Sequence, residues 1–213
     1  MKRIVLASIV FALCGCSGAV KEHVKPDLVR ALPMESRIEL LDAENGLFAA
    51  IDGVDEAHND VEDAQEQIDQ ADELVDAAKD QKKKAKKEGD ANGESIAELA
   101  ITEAKARKDY LKQWIKVLRA IVKEKEGELD ASRGRYELAK AKEVKRVNLD
   151  GSEKLKVEVF EDQVTRLDDR VKDLQAKADE VKSAADEQKK VWDDSRSELA
   201  KATGGAQGSA FVE

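Results

Sequence analysis

Apolar residues recur every seven positions along the first third of the chain. Leu40, Leu47, Val54, Val61, Ile68 and Val75 form one row. Ala43, Ala50, Ala57, Ala64, Ala71, Ala78 and Ala85 form a second row, three places on. Spacings of three and four make the a/d seam of a helix that packs lengthwise against another. Alanine at one of the two seam positions lets a neighbouring backbone come close. Near the C-terminus, Phe160, Val164, Leu167, Val171, Leu174, Ala178, Val181 and Ala185 repeat the alternation, and Gln188, Trp192, Ser195 and Leu199 continue it. Between these, Tyr110, Val117, Ala131 and Leu138 make one row, and Ala106, Ala120, Gly127, Gly134 and Ala141 make a row of small residues. Leu111, Trp114, Ile115, Leu118, Ile121 and Val122 widen that middle stripe. A wide stripe predicts either a helix lying between the other two or a face for an external partner.

Breaks in the pattern divide the chain. The prolines are Pro26 and Pro33, and glycines interrupt the periodicity at Gly89 and Gly93, at Gly151, and at Gly204, Gly205 and Gly208. This predicts helices over residues 35–88, 94–147 and 152–203, a flexible linker over 16–34 and a flexible tail over 204–213. The fold class is all-α: an elongated antiparallel three-helix bundle or coiled coil, each helix about 80 Å long. Ser36 with Glu39, Ser95 with Glu98 and Asp150 with Glu153 fit capping boxes at the three starts.

The turns predict register. A first turn centred near Ala91 sets Gly46 against Tyr136, Gly53 against Leu129 and Phe48 against Gly134. A second at Asp150–Gly151 makes facing residue numbers sum to about 299, setting Trp114 against Ala185 and Trp192 beside Tyr110 or Arg107. Large against small at each crossing is what a filled seam requires.

Composition narrows the function. Charged residues make up 39% of the chain and aromatics 4%, which suits a thin core between long helices rather than a thick globular one. The net charge of -9 argues against nucleic acid as a partner. With 46 acidic residues, paired carboxylates carry no information. The acids around His58 are read as a solvated helix face, against a metal or acid–base cluster. No catalytic constellation, cofactor site or small-molecule substrate site is predicted.

The N-terminus has a different character. Lys2 and Arg3 precede an apolar run from Ile4 to Leu13, which closes on Leu13-Cys14-Gly15-Cys16. The run is too short to cross a bilayer as a mature helix. This segment resembles the lipobox of bacterial lipoproteins. The resemblance implies a signal peptide over 1–15, cleavage after Gly15, and diacylglycerol on Cys16; the alternative is an ordinary secretory signal with Cys16 a free thiol. Removing Lys2 and Arg3 takes the charge from -9 to -11. Ser17 after the lipidated cysteine is compatible with export to the outer membrane. The expectation is therefore a non-enzymatic scaffold, spacer or adaptor, held to the membrane through lipid on Cys16, with its body in the periplasm and an unidentified envelope protein as partner. The alternative is a binding lipoprotein that captures a ligand through the apolar second helix.

Two further segments are candidate partner contacts. Lys82, Lys83, Lys84, Lys86 and Lys87 form a basic run that suits anionic headgroups or an acidic partner, or simply complements a helix C-terminus. Phe211 and Val212 form a short docking motif or an end with no role. With the lipidated start and the second turn near the membrane, the lysine run and the tail are expected at the far end.

Overall fold

The computed structural model describes residues 20–205, which form helices α1 (Pro26–Arg30), α2 (Met34–Ile38), α3 (Leu41–Glu88), α4 (Ala91–Val147) and α5 (Val157–Ala202). The described residues contain no strand. At 1.5 Å per residue the three long helices measure about 72, 85 and 69 Å. α3 and α5 each run antiparallel to α4 and pack along it, and they make no extensive contact with one another. The all-α three-helix architecture is the one the repeats predict, with the second helix in the middle.

The α3 heptad is buried as its spacing requires. Ala57, Ala64, Ile68, Ala71, Val75, Ala78 and Ala85 are all inside, and Ala64 and Ile68 pack with Leu111, Ile115 and Leu118 of α4. The seam loosens toward the start of α3, where Leu47 and Val54 are half-buried and Phe48 is exposed. Charge reinforces the order of the helices. α3 carries fifteen acidic and six basic residues and α5 thirteen and nine, whereas α4 carries ten and fourteen. The middle helix is thus the cationic one. It pairs outward through Lys108 to Asp72 and Lys82 from α3 to Glu98. On the other side, Arg135 reaches Asp168 and Lys142 reaches Glu161.

The first turn takes two residues. Gly89 adopts the left-handed conformation (φ 71°), Asp90 N–H donates to Ala85 O at 3.0 Å and Gly89 N–H to Lys86 O at 3.4 Å, which closes the α3 C-terminus in a Schellman arrangement. Asp90 then begins α4, its Oδ1 accepting from Gly93 N–H at 2.9 Å. A Cβ on Gly93 would collide with that carboxylate. The capping boxes expected from sequence do not form as read. Ser36 is buried inside α2 and accepts from Arg146 Nη2 at 3.1 Å. Asp90 caps α4 in place of Ser95, because the turn closes earlier. α5 starts only at Val157 with no side-chain cap, and Glu153 instead accepts from Gly151 N–H within the loop.

Small residues also face other directions than the expected pairs require. The first hairpin has paired residue numbers summing to 180, close to expectation. Yet a Cβ on Gly53 would meet only Lys125 Cδ, at 3.8 Å, and one on Gly46 would meet nothing within 4 Å. Gly134 faces α5, not Phe48: a Cβ there would approach Leu167 Cδ1 to 2.7 Å, and one on Gly127 would approach Leu174 Cδ1 equally. The α4–α5 register matches the expected one, with Gly134 on Leu167 and Arg170 on Asp130 at 3.2 Å.

The stretch expected to be a flexible linker packs instead, over its described part. Val24, Leu32 and Leu40 are 5%, 2% and 4% exposed and join Ala141, Val144 and Phe160 in one core. Gln163, itself buried on α5, clamps this strap by its amide. Its Oε1 accepts from the backbone N–H of Lys21 (2.6 Å) and Glu22 (2.9 Å), and its Nε2 donates to Glu22 O (3.2 Å). Glu137 Oε2 accepts from Val24 N–H at 2.9 Å. Each buried strap amide so named has a partner, which lets irregular backbone lie against a helical core.

Candidate functional site

Most of the chain's tryptophan and tyrosine gathers at one level of the bundle. Tyr110 and Trp114 lie one turn apart on α4, so their rings share a side of the helix; the centroids are 6.3 Å apart. Trp192 comes from α5 and stacks on Tyr110 with centroids 5.4 Å apart and planes 15° from parallel, as the α4–α5 register predicts. Arg107 lies over the Trp192 ring at 5.9 Å. The indole Nε1 donates to Glu103 Oε1 at 2.6 Å, and Glu103 is 7% exposed. Arg107 Nε is buried without a hydrogen-bond partner. Burial raises the Tyr110 phenol above its ordinary pKa, and the nearby Lys189 acts against that shift.

A groove of about 310 Å³ opens beside this stack. Asp60, Asp63 and Gln67 of α3 form one wall, and Tyr110, Leu111 and Trp114 the other. Aromatic faces next to two carboxylates suit a cationic side chain. The site holds no nucleophile paired with a base. Among the described residues, no group of three or more His, Cys, Asp or Glu side chains is placed to hold a metal ion. No helix among them is long and apolar enough to cross a membrane.

The lysine run ends α3. Lys82 pairs with Glu98 and Lys83 with Asp80, while Lys84, Lys86 and Lys87 are exposed around the first turn. Their charges lie at a helix C-terminus, where the dipole favours cations. Cys16, Phe211 and Val212 lie outside the described residues. The structure does not bring the lysine run and the aromatic groove together: the run surrounds the first turn, whereas Tyr110 and Trp114 stand nineteen or more residues into α4.

The apolar rows do not by themselves point to Glu103, Glu137 or Gln163. A signal exists for two of them. Glu103 stands seven residues before Tyr110 in an apolar row, and Gln163 sits between Phe160 and Leu167. A polar residue in a seam row, or next to one as Gln163 is, must find a partner when it is buried. No protein-family model, curated protein or solved structure matches the chain.

Proposed function

We propose that this protein is a lipid-anchored helical scaffold of the bacterial cell envelope, with Cys16 as the acylated residue. The observation that carries the reading is the sequence Leu13-Cys14-Gly15-Cys16 after a basic start and a short apolar run. The body supports it: the middle helix of the rod is about 85 Å long, enough to span distance or to hold several partners along its length. Acylation at the N-terminus gives membrane attachment to a chain with no spanning helix among its described residues. The lysine run at the first turn serves as one adaptor contact, for an acidic partner, and Phe211 with Val212 as another.

The alternative, ligand capture through the apolar second helix, has lost most of its surface. Leu111, Ile115 and Leu118 are 4%, 6% and 5% exposed. That reading retains the groove at Tyr110 and Trp114. The deciding experiment is metabolic labelling with a fatty acid, followed by detergent phase partition. The wild-type chain is expected to take label and enter the detergent phase, and Cys16→Ser to do neither. A labelled, detergent-partitioning Cys16→Ser protein refutes the lipid-anchored reading.

A further inference from the structure

We propose that the rod lies on its side on an anionic phospholipid surface, with the back of α4 toward the membrane. This rests on lipid attachment at Cys16. The strap sets the geometry. Val20 packs against the buried cluster of Ala131 and Leu167. Ala131 precedes the α4 C-terminus at Val147 by sixteen residues, so this level lies about 24 Å from the second-turn end of the rod. Cys16 is four residues from Val20 and reaches at most about 14 Å. While the Gln163 clamp holds, the anchor cannot pass the end of the bundle. A rod standing on its second turn is therefore excluded.

Charge selects which side faces down. From Ser95 to Glu126 the exposed residues of α4 form a single stripe with spacings of three and four. Lys105, Lys112, Lys116, Arg119 and Lys123 lie on it, all exposed, against three acids, Glu98, Asp109 (paired with Lys112) and Glu126. Lys105, Arg119 and Lys123 make no ion pair among the described residues. The stripe continues through Arg133 to Glu137 and Lys140, where the strap crosses it and adds exposed Lys21 and Lys25. A protein of net charge -9 whose middle helix has a mainly cationic back turns that side toward an anionic surface. Apolar groups mark the same side. Leu40, which precedes α3, and Glu44 of α3 line a pocket with Val29 and Arg30 of α1 and Tyr136 of α4. Phe48 and Ile51 lie four and seven residues beyond Glu44, so they continue that side of the helix. They are 56% and 37% exposed, and in the α3–α4 register Phe48 stands level with Ala131 and hence with Val20.

The test is neutron reflectometry of the full-length acylated protein on supported bilayers of phosphatidylethanolamine with phosphatidylglycerol. A rod on its side gives a protein layer of about 20–30 Å, from two helix diameters, against about 85 Å for a standing one. Replacing Lys105, Lys112, Lys116, Arg119 and Lys123 by Gln should thicken the layer with the thermal melt unchanged, and raising the salt on wild type should do the same. A standing wild-type layer overturns the proposal. So does a flat layer that persists in the variant and at high salt, or self-association in detergent abolished by the same substitutions. The mass of the N-terminal peptide, read from the same sample, separates the two readings. An unacylated chain that still lies flat supports the face and overturns the anchor; an acylated chain that stands overturns the face alone.

Discussion

The two long seams of α4 are filled by opposite means. Toward α3, the small residues belong to the neighbour: Ala57, Ala64, Ala71, Ala78 and Ala85 present a smooth row, and Leu111, Ile115, Leu118 and Val122 of α4 fill the space above it. Toward α5, over the second half of α4, the small residues belong to α4 itself. Gly127, Ala131, Gly134 and Ala141 receive Leu174, Leu167 and Phe160. An alanine row tolerates some sliding, because every position looks alike. A glycine under a leucine is a fixed socket, because the δ-carbon already occupies the place of a Cβ. The α5 seam therefore carries more of the register.

The sharpest way to break that contrast is to empty a socket. Leu167 is 1% exposed, and Leu167→Ala should cost about 2–5 kcal/mol of stability, read by chemical denaturation. Filling the socket from the other side comes next. Gly134→Leu should cost roughly 1–3 kcal/mol by overpacking, since its Cβ alone would meet Leu167 at 2.7 Å. The matching change on the α3 side should do far less. Gly53→Leu meets only the flexible end of Lys125, so it is expected to be neutral or to stabilise by up to about 1 kcal/mol through helix propensity. Equal losses at Gly53 and Gly134 would remove the distinction between the seams.

A smaller effect concerns pH at the second-turn end. A hydrogen bond from Arg146 holds the Glu143 carboxyl below the usual carboxylate range, with Ser36 contributing less. A depressed folded-state pKa means stability that is present above the unfolded pKa and lost as the pH falls through the folded one. The wild-type melting temperature should therefore drop more than that of Glu143→Gln between about pH 5 and pH 3. A parallel fall in both would show that the α2–α4 tie does not depend on the Glu143 charge.

The periodicity of the chain determined the three helices and their antiparallel order, but not their starts, which fall at Leu41, Ala91 and Val157 rather than at residues 35, 94 and 152. Heptad rows are local and survive in any arrangement that buries one face, so Ala57 to Ala85 are inside as read. The second register was also legible, because the turn near Asp150 leaves little freedom in how two straight helices meet; the stacking of Trp192 on Tyr110 is its consequence. The facing of single glycines was not legible. Gly134 stands in a row of small residues and Gly53 beside the α3 row at Val54, and only the position of a second neighbour decides that one faces Leu167 and the other Lys125. The strap was not legible either. Residues 20–34 have no period, and their order comes from Gln163 and Glu137, more than a hundred positions away. The lysine run could be placed at a helix end from sequence alone, since charge complements the dipole locally. The aromatic groove required α3 and α4 to meet, and the stack beside it required α5 as well. Structure set by neighbours three or four residues apart is written in the chain. Structure that depends on which distant side chain completes a hydrogen bond or fills a socket was decided only when the helices came together.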